Sequence, residues 1–425
     1  MRKTIISKAA AAVALLMALA SPMAHADSFE EKDGVSYFLS DSTRTAEAVG
    51  TTRASGHVSI ASTVSVEVPD PQDPQKKITK TYTVTRVSGF GGKGISSVSI
   101  PGTVTHISRY AFQSCTELKS VSLPAALSEL GSSAFSGCTS LGQVSIPAGC
   151  IVGSYAFSGC TSLTAATSVG VDSIGSAAFM GCTSLTQGIN LPRKSGAGIY
   201  SQCTSLKQKP ITEHGIPDRT FEGCTSLQVS EIRMLDGAMI GAGAFSGCKA
   251  ITEIYIDGAP VGVGAFDACT SLAKVEFGER VSRVGEAAFY RCPLKTVVCY
   301  ASVPPVAYNE GLAASAFSSL HYSSATLYVP ANWMSVYAAT QPWKNFFSIK
   351  ALTAGVDATR ADSPKVVARK GRVMVTGVGT AEMVEVLDMS GRLVARATAA
   401  ALSRRTLPAG PHLVRCRSLT AKVVL

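Results

Sequence analysis

Only 16% of the residues are charged, and only two are Trp. Beyond Ala26 no uninterrupted apolar run reaches the roughly 18 residues that a membrane-crossing helix needs, so the rest of the chain has no such helix. No Cys-x-x-Cys pair is present, and the histidines after Ala26 (57, 106, 214, 321 and 412) are scattered, so no zinc ligand set can be assembled. Asp70 and Asp73 flank prolines and no acidic loop recurs, which argues against calcium. There is no Gly-x-Ser-x-Gly elbow and no Ser/His/Asp or Cys/His set on neighbouring segments. Gly89-Phe-Gly-Gly-Lys-Gly94 has the flavour of a phosphate loop, but Gly94 stands where Ser or Thr is needed. We therefore expect no cofactor, no metal and no catalysis.

The net charge of +10 would suggest a polyanionic partner until it is located along the chain. Residues 1–26 carry three basic and no acidic groups, residues 27–352 carry 24 of each, and residues 353–425 carry twelve basic and five acidic. The body is neutral, so long-range steering of nucleic acid has no source there.

Residues 1–26 have a basic start (Arg2, Lys3, Lys8), an apolar run from Ala9 to Ala20 and the small-residue exit Ala24-His25-Ala26. This pattern predicts a signal peptide cleaved after Ala26, and hence export.

What the chain has in abundance is one phrase, Phe-x-x-Cys-x-x-Leu. Its structural ladder comprises Phe112 and Cys115, Phe135 and Cys138, Phe157 and Cys160, Phe179 and Cys182, then Cys203, Phe221 and Cys224, Phe245 and Cys248, Phe266 and Cys269, and Phe289 and Cys292. Self-similarity at this near-constant step predicts a solenoid in which each coil buries its apolar edge only against its neighbours. We expect a β-rich rod of about 10–11 coils of about 22 residues, roughly 50 Å long, with short parallel strands.

Numbering Phe as zero, an aliphatic lies five before (Ile107, Leu130, Ile240, Val261) and Ala one before. Apolar residues at plus nine and plus eleven (Val144 and Ile146, Ile254 and Ile256) alternate with polar ones, the period of a strand with one buried face. Pro124 and Pro147 follow and end that strand. The Ile-Gly-x-x-Ala-Phe portion, as in Ile174 to Phe179, predicts a second short extended piece running into one tight turn. Register weakens between Gly188 and Ile240: Tyr200 replaces Phe, Ser195 takes the aliphatic place, Ile199 the Ala, and Lys207, Gln208 and Lys209 fill the strand.

An exported chain with 12 Cys invites disulfides. Stacked ladder cysteines would be close enough, but their side chains would point in parallel, whereas a disulfide needs a torsion near 90°. Buried free thiols are expected. The Thr-Ser pairs after most ladder cysteines (Thr139-Ser140, Thr204-Ser205, Thr225-Ser226) form a hydroxyl row that could meet a glycan, although satisfying turn backbone is the commoner use. Chemistry varies most toward the carboxyl end of the rod, and a ligand-facing patch is expected at Tyr255, Glu276, Arg280, Arg283, Tyr290 and Arg291.

Copies such as Ala134-Phe-Ser-Gly-Cys-Thr-Ser-Leu141 followed by Val144-Ser-Ile-Pro147 resemble the BspA-like, or treponemal-type, leucine-rich repeats of bacterial surface proteins. The segment from Gly34 to Phe90, with Tyr82-Thr-Val-Thr85, resembles the piece that covers the first coil in that family, and Lys93 stands where a Cys would be. Tyr328-Val-Pro330, Tyr337 and Pro342-Trp-Lys-Asn-Phe-Phe347 resemble its closing cap. Near the carboxyl terminus, Val384-Glu-Val-Leu-Asp388, Leu407-Pro-Ala-Gly410 and Leu413-Val-Arg415 alternate like strands parted by turns, which predicts a small β-sandwich. With Gly391, Arg392, Gly410 and the terminal run from Lys422, they also resemble the carboxyl-terminal sorting domain of type IX secretion.

The expected organisation is a signal peptide (1–26), an amino-terminal cap and first coil (27–88), repeats (89–330), a closing cap (331–352), a linker (353–365) and a sorting-type β domain (366–425). The resemblance implies passage across an outer membrane through residues 366–425 and surface display. The leading reading is an adhesin or binding module for host or bacterial macromolecules. A structural or scaffolding envelope protein is the second reading, and an exported enzyme the third.

Overall fold

The computed structural model describes residues 27–210, 212, 214–234, 238–307 and 315–352, and beyond them 365–369, 372–376, 383–388, 392–398, 402, 407–416 and 419–424. The signal segment with Ala26, the linker up to residue 364, and Gly391 lie outside the described residues.

The chain is a β-solenoid of about 12 turns. It opens with β1 (Ser28–Lys32), β2 (Val35–Ser40), β3 (Thr45–Thr51), β4 (Ser55–Ser59), β5 (Thr63–Asp70) and β6 (Asp73–Val87). Alternation in β2 sends Val35, Tyr37 and Leu39 inward, and β1 to β3 pair antiparallel. β3 pairs β6 in parallel, which begins the stack of coils, while β5 folds back on β6 as a long antiparallel hairpin. Asp41 clamps this end, with its carboxylate 2.5 Å from both Lys80 Nζ and the Tyr82 hydroxyl. The Lys80 hydrogen bond, foremost, holds that carboxyl below its usual range.

Two parallel ladders then run along the rod. One is built of two-residue strands, β8 (His106–Ile107), β10 (Glu129–Leu130), β12 (Ile151–Val152), β14 (Ser173–Ile174) and β15 (Lys194–Ser195), and stacks Ile107, Leu130, Val152 and Ile174. Isolated bridges carry it on through Ile216, Ile240, Val261 and Val284. The other ladder uses the plus-eight to plus-eleven residues. It comes in three pieces: β4 with β7 (Gly94–Ser99) and β9 (Ser120–Val121); β11 (Gln143–Ile146) with β13 (Ala165–Ser168); and a six-stranded sheet. That sheet runs β16 (Glu231–Arg233), β17 (Glu253–Asp257), β18 (Lys274–Phe277), β19 (Thr296–Cys299), β20 (Thr326–Val329), β21 (Ser348–Ala351). The break between β13 and β16 falls in the stretch where the repeat loses register.

The tight turn has a rule of its own. Residues two before and two after each Phe are left-handed: Tyr110 and Ser114, Ser133 and Gly137, Tyr155 and Gly159, and so on to Ala287 and Arg291. This conformation turns backbone groups toward the adjacent coils. Phe135 N–H donates to Ala156 O at 2.8 Å and Gly137 N–H to Ser158 O at 2.7 Å, so these turn donors are satisfied only when the coils stack. Glycine adopts that geometry without steric cost, whereas Ala268 holds it at a φ of 56°. Ala268→Gly is therefore expected to stabilise the protein by about 0.5–1 kcal/mol, read as a higher denaturant midpoint at unchanged slope.

At the carboxyl end, α1 (Ser319–Ser324) and α2 (Met334–Ala339) cover the last coil. Tyr337 and Trp343 are fully buried, and they donate to the Ala301 and Pro305 carbonyls at 2.8 Å each. His321, 1% exposed, takes the Ser318 N–H on Nδ1 and donates from Nε2 to Cys292 O at 2.7 Å, which requires the neutral ring. Burial lowers its pKa below the ordinary 6.5, against the Cys292 carbonyl. The unfolded chain therefore binds the proton first. His321 contributes fully above pH 6.5 and loses that contribution as pH falls through its lower folded value. The stability advantage of the wild type over His321→Gln is expected to shrink from pH 7 to pH 5, measured by urea unfolding.

Beyond the cap, the carboxyl-terminal residues form a two-stranded ribbon, β22 (Lys365–Arg369) with β23 (Arg372–Thr376), and a small antiparallel sheet. The sheet has the order β25 (Leu393–Thr398), β24 (Met383–Asp388), β26 (Pro411–Cys416), β27 (Leu419–Val424). Arg392 closes the β24–β25 turn, its N–H 3.0 Å from an Asp388 carboxylate oxygen. Gly410 sits at φ 124° just before β26, and Lys422 lies in β27.

Candidate functional site

The interior of the rod must be separated from its surface first. Phe90, Phe112, Phe135, Phe157, Phe179, Tyr200, Phe221, Phe245, Phe266, Phe289 and Phe317 form one stack, with centroids 5.1–5.9 Å apart. The ladder cysteines are free thiols, buried beside it. Each does more than fill space: Cys115 Sγ donates to Phe90 O at 3.2 Å, Cys138 to Phe112 O, Cys160 to Phe135 O, and the pattern continues to Cys292 and Phe266 O. The thiol is thus a hydrogen-bond clip from each coil to the aromatic residue of the coil before it. Burial raises the thiol pKa to about 12 at Cys248 and to about 11 at Cys150 and Cys299, so these three form no nucleophilic thiolate near neutrality. Alkylation at pH 8 is expected to leave the ladder cysteines unmodified in folded protein and to modify them all in denaturant, read by mass spectrometry.

The hydroxyl row serves the backbone too. Thr139, Thr204 and Thr225 each donate to the carbonyl of the preceding coil's Thr (116, 183 and 204) at 3.4 Å.

What remains for recognition is the outward row of the six-stranded sheet. Parallel pairing aligns Glu231, Tyr255, Glu276, Val298, Tyr328 and Lys350. These residues alternate with the inward row Ile232, Ile254 and Ile256, Val275 and Phe277, and Val297 and Cys299. The outward row is not simply solvated. Val298 is fully buried, Glu276 is 6% exposed and Tyr255 8% exposed, although Val298 and Tyr255 lie outside the rod's apolar core. They form a second layer. Arg233 pairs with Glu231 and lies over the Tyr255 ring, 4.6 Å from its centroid. Glu276 accepts from Lys274 at 2.8 Å and from the Tyr300 hydroxyl at 3.0 Å, and Arg280 grips Asp257 at 2.9 Å.

The expected patch needs correction on this point. Tyr255 and Glu276 are structural members of the outer layer, because their stacked neighbours are large enough to cover them. The six residues are also not one surface. Arg280 follows β18, Arg283 lies on the two-residue ladder opposite Val306, and Tyr290 and Arg291 project from the tight turn, where Arg291 pairs with Asp267 at 2.5 Å.

Sequence reasoning missed Tyr300 and Trp333. Beyond the carboxyl ends of β18 to β21 lies an open groove of about 540 Å³, flanked by Tyr300, Trp333 and Glu279 with Ser302, Pro330 and Leu352. Among the described residues no cluster of His, Cys, Asp or Glu could hold a metal ion, and no helix is long and apolar enough to cross a membrane.

Stacked coils, aromatic ladder and repeat phrase define a leucine-rich repeat solenoid. The chain belongs to the BspA type leucine-rich repeat family, whose repeat region matches residues 85–207 and 193–310 in 6 copies. No curated protein matches it. Among solved structures, a leucine-rich repeat protein from Bacteroides ovatus is similar over 76% of each chain, at 23% identity and a TM-score of 0.54, which shows the fold. A leucine rich cell surface protein from Faecalibacterium prausnitzii is 21% identical, over 79% of this chain and 96% of its own, with a TM-score of 0.38. Both are leucine-rich repeat proteins.

Proposed function

We propose that this chain is an exported, surface-displayed binding protein that presents the outward face of its six-stranded sheet to a macromolecular ligand. The observation that carries this reading is the second layer on that face. Arg233 is held over the covered Tyr255, and Lys274 and Tyr300 are held by the covered Glu276, which fixes these outer side chains before any partner arrives. Aromatic and Arg groups held rigid in this way lose little conformational freedom on binding. The core already buries an aromatic ring on each coil from Phe90 to Phe317 and a thiol on each from Cys115 to Cys292, so stacking is carried by residues beneath this layer. The leader through Ala26 and the strand domain carrying Gly391, Arg392, Gly410 and Lys422 support export and type IX sorting. A scaffold role in the envelope is the second reading, favoured by the length of regular, internally satisfied surface.

The test is capture of matrix and mucosal proteins by the full chain after the leader. Wild type is compared with a sheet-face variant (Arg233→Ala, Lys274→Ala) and a turn-side variant (Arg283→Ala, Tyr290→Ala). Saturable capture weakened only by the sheet-face changes is the expected result, and no saturable ligand would sink the adhesin reading in favour of the scaffold. Deletion of residues 366–425 is expected to abolish surface display in cell fractionation; undiminished display would refute the sorting assignment.

A further inference from the structure

The groove beyond the carboxyl ends of β18 to β21 has chemistry of its own. One of its aromatic walls is held from behind: Tyr300 is fixed through its hydroxyl to Glu276 Oε2 at 3.0 Å. Trp333 sits on a single 3-10 turn, where its backbone N–H donates to Pro330 O at 2.9 Å. Trp333 is 39% exposed, whereas the other Trp, Trp343, is fully buried in the cap. The cap therefore uses one Trp as core and presents the other to solvent beside a depression. An indole left half in water costs solvation, which a flat partner would recover.

The polar groups at the rim are the Glu279 carboxylate and the Ser302 hydroxyl, and among the described residues no cationic side chain lines the groove. On the sheet face Lys274 and Arg280 are engaged by Glu276 and Asp257, and Lys350, exposed in the outward row, is not among the residues that line the groove. An anionic ligand would meet the Glu279 carboxylate and no counter-charge from the lining. A wholly apolar ligand would leave the carboxylate unpaired and desolvated. The volume lies within the range of about 300–1,000 Å³ usual for small-ligand sites and is too small to seat a folded protein element. A neutral ligand with flat C–H faces and several hydroxyl donors satisfies all of these constraints.

We propose that the Tyr300–Trp333 groove binds a neutral saccharide, one or two pyranose rings long, stacked on Trp333 with its hydroxyls donating to Glu279. This rests on the binding-protein reading and names a ligand class for one end of the same face.

The experiment titrates the full chain after the leader with cellobiose, N,N′-diacetylchitobiose, maltose and lactose as neutral probes, and with 3′-sialyllactose as the anionic counterpart. Tryptophan emission follows binding, since Trp333 reports and buried Trp343 supplies a constant background; calorimetry is the second readout. The expected result is a saturable change with at least one neutral disaccharide at millimolar half-saturation, weakened about tenfold or more in Trp333→Ala and in Glu279→Ala at unchanged melting temperature. Three outcomes would overturn the proposal: no saturable response to any neutral probe, a response unaltered in Trp333→Ala, or preference for 3′-sialyllactose. Capture of matrix proteins by Trp333→Ala, run in parallel, separates failure of the groove from failure of the adhesin reading.

Discussion

Truncating Phe157 to alanine is expected to lower the unfolding free energy by about 3–5 kcal/mol, the largest single effect available in the rod. The ring is fully buried and lies 5.5 Å from Phe135 and 5.3 Å from Phe179, with interplanar angles of 4° and 9°. Its removal deprives two neighbours at once. Because each coil contacts only the coils beside it, the loss cannot be spread through a three-dimensional core, and the stack is cut into two blocks. The expected signature in urea is a broadened or split transition beside a lowered midpoint, whereas Phe347→Ala, 84% exposed on the cap, should stay within about 0.5 kcal/mol of wild type. A single sharp transition at the wild-type midpoint would refute the view that the ladder holds the coils together.

Tyr200 shows how closely the ladder is fitted. Its hydroxyl is buried and donates to Ile189 O at 2.6 Å. It has room only because residue 188 is Gly: a Cβ there would stand 2.6 Å from the Tyr200 ring. The irregular stretch from Gly188 is therefore, in part, the accommodation of the Tyr200 ring and its hydroxyl.

The ladder and both strand positions of each coil were legible because they obey a period, and stacking converts a period directly into neighbours. Phe112, Cys115 and Leu118 announce one another in the chain, and they meet their copies one coil away. The thiol clip was not legible. It depends on the Phe carbonyl of one coil facing the thiol of the next, a property of backbone direction and not of side-chain type. The outer layer was misread for a related reason. Alternation correctly placed Tyr255 and Glu276 on the outward side, but exposure there is decided by Arg233, Val298 and Tyr300 on adjacent coils and by Lys274 on the strand of Glu276, none of which obeys the repeat. Trp333 lies beyond the last regular copy, where periodicity says nothing.

The same reasoning assigns the second largest effect to a residue with no side chain at all. Gly175, four before Phe179, has no left-handed backbone to explain it, and it recurs as Gly131, Gly153, Gly196, Gly241, Gly262 and Gly285. A Cβ at 175 would lie 2.3 Å from Ser154 N and 2.7 Å from Gly153 C, both backbone atoms of the preceding coil. Backbone cannot rotate aside as a side chain can, and the two chains are tied there by Gly175 N–H to Val152 O at 2.7 Å. Gly175→Ala must therefore push two coils apart or break that hydrogen bond, and a cost of about 3 kcal/mol is expected from overpacking. Gly102→Ala, where a Cβ meets nothing within 4 Å, is the matched control and should be neutral or slightly stabilising. Equal denaturant midpoints for the two variants would mean that the coils are not in backbone contact at this glycine. A midpoint lowered only in Gly175→Ala would show that the Ile-Gly step of the repeat sets the spacing at which the Phe rings and thiols of successive coils meet.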